Sequence, residues 1–386
     1  MQRILLALFR ATVFGAAVLA CSPYGHAGEV QAGSTHWQVR TSIGFDALCA
    51  LNILSGDPYY VEQYPAEAGR FAGPAYTPAR EAAVELKRII KDEDGGIVSA
   101  FLTLVMSGTD DRAFDSLLAA VEAPEELRAT FMKSTFGNTE SWARFERSRP
   151  HLKRALRAMQ EAGFERWWRE GIEPKSNARA AELLGTLARH DVLGEHRRLL
   201  GPGFTVRDIE VILLYFSRPH GIRIQGDRYL TNAGYPAHIV LRNAAHEPLH
   251  GGLALDEPQL RDVVRQLTSG RLIANAVAKH DAKFGYNSAR GYAEEDLVQA
   301  LEQVVSERLG FALDNRKRWR EGDDGMHILA ASVYELMQET GFARDGGSFR
   351  EWLVASTARG AFSDAEVERR ARARLGDDHV ALWLSK

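Results

Sequence analysis

The sequence is poor in cysteine, with only Cys21 and Cys49 among 386 residues. Cys21 lies in an N-terminal segment that we expect to be cleaved off or acylated, so Cys49 is left as the single free thiol. No intramolecular disulfide can then form, even in an oxidising compartment. Because Cys49 lies in an apolar stretch with no histidine motif beside it, we predict a small core residue rather than a nucleophile.

The sequence also lacks any long block of like charge. Its 48 Lys and Arg residues nearly balance 51 Asp and Glu residues, which gives a net charge of -3. An Arg-rich stretch at residues 369–375 is better explained as a solvated helix face than as a binding groove, so we expect no nucleic-acid partner. The length and the 45% hydrophobic content predict a globular chain of two lobes.

No apolar run near the N-terminus is long enough to span a membrane comfortably. Residues 11–20 form a short apolar run that follows two arginines and precedes small residues, a pattern typical of a bacterial export signal. We therefore predict a signal peptide over residues 1–27. Cleavage is expected either at the end of this segment or, as in lipoproteins, before Cys21, which would then carry a membrane-attaching lipid. Both alternatives predict an exported bacterial protein, either periplasmic or a membrane-anchored lipoprotein.

Helical periodicity dominates the first half of the mature chain, and proline followed by acidic residues marks several helix starts. We assign residues 36–200 to a helical N-terminal lobe. The pattern changes after residue 200, where residues 204–216 and 221–233 are rich in β-branched and aromatic side chains and are the best strand candidates. The predicted fold class is mainly α with a small β element (α+β), with residues 201–386 forming the second lobe.

The second lobe contains the sequence His-Glu-Pro-Leu-His, which begins at His246 and has the form H-E-x-x-H. Residues four apart lie on one face of a helix, so the imidazoles of His246 and His250 can reach one ion while Glu247 points at a water bound to it. This arrangement is the active part of a zinc peptidase. Pro248 has no N–H, so we predict that the helix either begins near Ala245 or bends at the site.

A catalytic zinc ion takes three protein ligands and keeps a fourth position for water. The metzincin continuation would need histidine where this chain has Asp256, so we expect a carboxylate ligand further along. A helical wheel of the next periodic helix puts Glu294 nearest the middle of the apolar face and Glu295 at its margin, with Glu302 a third candidate. A further alternative is that this acidic first turn only complements the helix dipole.

On these residues the chain resembles the gluzincin group of zincin metallopeptidases, in which a later helix bears the ligand glutamate with an apolar residue at +2. Glu295 meets that pattern through Leu297, whereas Glu294 has Asp296 at that position. The resemblance covers residues 239–301 and implies a helical hairpin inserted at residues 256–284. It also implies one Zn²⁺ per chain, held by three residues: His246, His250 and Glu295.

The resemblance implies hydrolysis of peptide bonds in a peptide or protein substrate. Glu247 is expected to act as the general base that takes a proton from a metal-activated water and later protonates the leaving amine. His327 and Tyr334 lie seven residues apart on one predicted helix and are the candidates for stabilising an oxyanion, with Tyr229 and Tyr292 as weaker ones.

Two features leave the function open at the level of sequence. An edge strand at residues 222–229, just before the motif helix, is expected to bind an extended substrate, although an ordinary supporting strand has the same pattern. The alternative function is a non-catalytic helical envelope lipoprotein whose H-E-x-x-H is structural, degenerate or a chance match. A metal site without peptidase activity is a third hypothesis.

Overall fold

The structure is a computed structural model that describes residues 28–219, 221–281 and 286–385. The predicted signal peptide, with Cys21, lies outside the described residues. Helices make up 69% of the structure and a five-stranded sheet 8%, which confirms the predicted class of mainly α with a small β element. Within the described ranges, no helix combines the length and the apolar composition that crossing a membrane requires.

The described strands form one mixed sheet in the order β1-β2-β3-β5-β4. Their bounds are β1 Gly28–Ala32, β2 Thr35–Thr41, β3 Asp208–Leu214, β4 Ile222–Ile224 and β5 Arg228–Asn232. β3 runs parallel to β2 and to β5, while β1 and β4 are antiparallel edge strands. Both predicted strand segments are confirmed. Of the expected edge strand at residues 222–229, β4 lies at the edge of the sheet, whereas residues 228 and 229 belong to β5 inside it.

The chain between β2 and β3 is helical. Its α-helices are α1 Ile43–Leu54, α2 Pro58–Gln63, α3 Pro65–Phe71, α4 Thr77–Lys87, α5 Val98–Val105, α6 Phe114–Glu122, α7 Pro124–Lys133, α8 Thr139–Glu161, α9 Phe164–Gly171, α10 Glu173–Leu187 and α11 Val192–Leu200. Proline in the first turn of several of these helices has a backbone already set for helix and lacks an N–H that would be unpaired there. Cys49 is fully buried in α1, as predicted.

The sheet is buried on both faces, because alternate residues of each strand point to opposite sides. Ile212 and Leu214 of β3 pack into a core formed with α1–α9, which we call the N-terminal core. Val211 and Leu213 of the same strand pack into the C-terminal core, which also includes Trp37 of β2 and residues of α10 and α11. Segments from the predicted helical lobe therefore contribute to the core that surrounds the H-E-x-x-H motif.

The remaining helices follow β5 and complete the C-terminal core. They are α12 Ala237–Gly252, α13 Pro258–Ser269, α14 Arg271–Lys279, α15 Ala289–Leu309, α16 Asn315–Glu321, α17 Ile328–Glu339, α18 Phe342–Asp345, α19 Phe349–Ala358, α20 Asp364–Leu375 and α21 Asp377–Ser385. α13 and α14 show that the segment expected to form a helical hairpin, residues 256–284, is helical as far as Lys279; residues 282–285 lie outside the described chain. α15 is buried for almost its whole length, between α12 and α17.

Candidate metal centre

The motif helix α12 carries His246 and His250 toward α15. The helix runs without interruption from Ala237 to Gly252 and includes Pro248, so the prediction that it begins near Ala245 is wrong. Pro248 offers no N–H to the carbonyl of Ala244, which removes one hydrogen bond of the helix within the motif. The two histidines nevertheless lie one turn apart on one face, with ring centroids 4.9 Å apart.

The structure brings Glu295, and not Glu294, between the two histidines. Glu295 Oε2 lies 3.5 Å from His246 Nε2 and 3.6 Å from His250 Nε2. The two histidine Nε2 atoms are 3.1 Å apart. Among the described residues, these three side chains are the group able to hold a metal ion together.

The three ligand atoms lie close enough together to bind one ion. The point in their plane that is equidistant from them lies about 2.0 Å from each, which is within the usual length of metal bonds to nitrogen and oxygen. Two imidazoles and one carboxylate form a donor set that zinc and other divalent transition metals accept. The three side chains could therefore hold one such ion.

The surroundings of the Glu295 carboxylate keep it ionised, although only 3% of its side chain is exposed. Burial acts to raise the pKa of Glu295, but the imidazoles of His246, His250 and His327 outweigh it and hold that pKa well below its usual range. One oxygen, Oε1, accepts a hydrogen bond of 2.8 Å from Gln299. The other, Oε2, is buried without a hydrogen-bond partner in the described chain. A buried carboxylate oxygen in this state would be stabilised by a bound cation.

Glu294 supports the site from outside. Its Oε1 lies 3.2 Å from His250 Nδ1, the ring nitrogen that faces away from Glu295. This contact with His250 lowers the pKa of Glu294, and the nearby guanidinium groups of Arg290 and Arg223 lower it further. A carboxylate on the second ring nitrogen is the usual way of fixing the tautomer and orientation of a metal-binding histidine.

Glu247, the expected general base, is half-buried beside the ligands. Its charge acts on two tyrosines, Tyr229 and Tyr286. Burial raises the pKa of Tyr286, and the carboxylates of Glu295, Asp323 and Glu247 raise it further. The Tyr286 hydroxyl therefore stays protonated, and it forms a hydrogen bond with the carboxylate of Glu295.

His327 does reach the neighbourhood of Glu295, but its ring is fully engaged. Nδ1 lies 2.7 Å from Asp296 and Nε2 lies 3.0 Å from Asp323, so both nitrogens donate to carboxylates. Burial opposes a charge on this imidazole, yet the two carboxylates raise the pKa of His327 to about 10. Neither nitrogen is left to stabilise an oxyanion, which corrects the role expected for His327.

The structure does not bring Tyr334 to the site. Its hydroxyl donates to Glu307, which lies twelve residues beyond Glu295 on α15 and hence about 18 Å along the helix. The weaker candidates are also committed elsewhere, since Tyr229 donates to the carbonyl of Val240 and Tyr292 to that of Met326.

Tyr286 and Arg223 are the site residues that the sequence did not indicate. Tyr286 precedes α15 and is set by a left-handed backbone conformation with φ of 60°, which no motif signals. Arg223 belongs to β4, and a side chain built at Gly251 of α12 would lie 3.0 Å from its guanidinium. Comparison of the chain with protein-family models, with curated proteins and with solved structures finds no match.

Proposed function

We propose that this protein is a zinc-dependent metallopeptidase that hydrolyses peptide bonds. The observation that carries the proposal is the triangle formed by His246 Nε2, His250 Nε2 and Glu295 Oε2. A two-histidine, one-carboxylate set is also used by non-haem iron, and the H-E-x-x-H pattern, which puts the carboxylate of Glu247 next to a ligand as a base, is what favours zinc. Residues 1–27, proposed as an export signal, would direct this activity to the bacterial envelope.

Each polar group at the site has a task in this reaction. A zinc ion held by the three ligands would lower the pKa of a bound water and polarise the scissile carbonyl. Glu247, next to His246 in the helix, takes a proton from the attacking water and delivers one to the leaving amine nitrogen. Tyr286 replaces His327 as the donor to the developing oxyanion, because its hydroxyl is protonated and lies beside the ligand Glu295.

The edge strand β4 is suited to hold an extended peptide. Among the described strands it pairs with β5 alone, so an added strand could pair with its other edge. A cavity of about 480 Å³ lies along this part of the chain, lined by Arg223 of β4 and by Thr130 and Lys133 of α7. A peptide bound along β4 would pass over α12 beside His250.

The test separates metal binding from hydrolysis. We expect purified protein to contain about one zinc per chain by elemental analysis, with His246→Ala and His250→Ala losing it. Glu247→Gln should keep the metal and lose hydrolysis of a peptide mixture by at least a hundredfold, because the general base is removed. His238→Ala is the matched control, since His238 lies exposed on the same helix.

Two results would contradict the proposal. Protein purified without chelators that contains no zinc would exclude the metal centre. Unchanged hydrolysis in Glu247→Gln would exclude Glu247 as the base, and full zinc content with no hydrolysis of any peptide by the unmodified protein would leave a metal site without peptidase activity.

A further inference from the structure

A second cavity, of about 490 Å³, adjoins the metal centre along α12 and α15. These helices run antiparallel, since His250 meets Glu294 near the start of α15 and Arg242 meets Glu302 two turns further on. Arg242 and Gln299 line the cavity, and each lies one helical turn from a metal ligand on its own helix. Because Gln299 also donates to Glu295, the wall of the cavity is continuous with the metal centre.

Arg242 is an incompletely paired cation in this cavity. Its Nε is buried without a hydrogen-bond partner in the described chain, and its nearest carboxylate oxygen, on Glu302, is 3.8 Å away. Burial lowers the pKa of Arg242, and the neighbouring guanidinium of Arg318 lowers it further. A buried N–H donor is normally hydrogen-bonded, so Arg242 Nε is a donor for which the described chain provides no acceptor within hydrogen-bond distance.

The anion nearest to Arg242 is already paired with another cation. Glu302 is shared between two arginines, and its ion pair with Arg318 is the close one. Arg318 also donates to Gln299 and Gln303, so its donors are occupied by the protein. The cavity is lined by the cationic side chains of Arg242, Lys317 and Arg318 and by the carboxylates of Asp314, Glu321 and Asp323, so the charges of its lining nearly balance. A singly charged carboxylate fits this lining better than a phosphate dianion does.

We propose that Arg242 binds the C-terminal carboxylate of the substrate, so that the enzyme cleaves peptides close to their C-terminal end; this inference rests on the proposed function. One helical turn, about 5.4 Å, separates Arg242 from His246. An extended peptide covers about 3.3–3.6 Å per residue, so a terminal carboxylate at Arg242 lies one or two residues beyond the scissile bond. The product is then a single amino acid or a dipeptide.

The experiment measures binding of short peptides to the full chain carrying Glu247→Gln, so that nothing is cleaved. The probes are acetyl-Ala-Ala as the free acid, the same peptide as the C-terminal amide, and an amidated peptide with glutamate as its last residue. By calorimetry, we expect the acid to bind at least tenfold more tightly than either amide. A second Arg242→Gln substitution should abolish this preference, and Arg242→Lys should restore part of it.

Arg207→Gln is the matched control, because Arg207 is exposed and lines a different cavity. Equal binding of acid and amide, or a preference that survives Arg242→Gln, would overturn the inference. Tight binding of the amidated glutamate peptide would overturn it too, because the cavity would then bind an acidic side chain.

The comparison of acid with amide needs no substitution at Arg242, so it still tests the inference if Arg242→Gln does not fold. If the acid is preferred through Arg242 but the unmodified protein cleaves nothing, the carboxylate site stands and the proposed function fails.

Discussion

Two adjacent glutamates, Glu294 and Glu295, have different roles because consecutive helix residues point about 100° apart. Glu295 faces both histidine Nε2 atoms, and Glu294 reaches the outer nitrogen of His250. Helical position alone favours Glu294 as the ligand, since it lies nearest the middle of the apolar face. The structure reverses this order because α15 is buried on nearly all sides, so polar residues on several faces meet buried partners.

This division of roles predicts different losses of metal affinity. Glu295→Gln removes the charged ligand, so we expect zinc affinity to fall by more than a hundredfold. Glu294→Gln leaves the three ligands in place and weakens only the support of His250, so a tenfold to hundredfold loss is expected. Competition with a chelator of known affinity measures both, with Glu182→Gln, an exposed glutamate of α10, as control. A larger loss for Glu294→Gln than for Glu295→Gln would reverse the assignment.

At the scale of helices, α11 packs against the motif helix α12 and forms a hydrogen bond with it next to His246. His196 of α11 is fully buried and donates through Nε2 to the carbonyl of Ala245, at 2.8 Å. That carbonyl lies next to the one that Pro248 leaves without its helical N–H. The contact therefore supports α12 where its own hydrogen bonding is weakest, immediately before His246.

His196 makes the stability of the fold depend on pH in a definite direction. Burial lowers the pKa of His196 from 6.5 to about 4, so the folded protein keeps this ring neutral where the unfolded chain already binds a proton. Above pH 6.5 the ring has no effect on the pH dependence, and between pH 6.5 and 4 the unfolding free energy should fall by about 1.4 kcal/mol per pH unit from this residue.

The measurement is denaturant unfolding between pH 7.5 and 4 in the unmodified protein and in His196→Gln, whose amide can still donate to Ala245. The fall in unfolding free energy below pH 6.5 should be smaller in His196→Gln, while His238→Gln should follow the unmodified protein. Parallel pH profiles for all three proteins would show that His196 is not the titrating group.

At the scale of the whole molecule, one sheet joins both cores. Arg40 of β2 is buried and forms ion pairs with Asp111 of the helical segment and with Glu210 of β3. The parallel pairing of β2 with β3 connects residues that are more than 160 positions apart in the chain. The core around the metal centre therefore depends on strands and helices from before residue 201.

This dependence predicts that residues 201–386 do not fold alone. That fragment lacks β1, β2, α10 and α11, and so exposes the apolar face of β3 that they cover. We expect circular dichroism and amide hydrogen exchange to show no cooperative, protected structure and no zinc binding at the affinity of the full chain. A fragment of residues 28–386 is the control, and native-like protection in fragment 201–386 would contradict the prediction.

Much of this organisation can be predicted from local sequence. Helix content, the strands near residues 208–232, the H-E-x-x-H motif and the expectation of a carboxylate further along the chain follow from periodicity, turn residues and side-chain chemistry. These features depend on neighbours within a few positions along the chain.

Only the tertiary structure decided which groups from distant segments meet. Three sets of contacts depend on how α12, α15 and the chain before α17 pack. They are the contact of Tyr286 with Glu295, the engagement of His327 by two carboxylates and the placement of Arg242 beside Glu302. The same packing places Tyr334 about 18 Å along α15 from the ligands. No local pattern encodes these contacts, because each results from the burial of whole helices against one another and not from the spacing of residues in one segment.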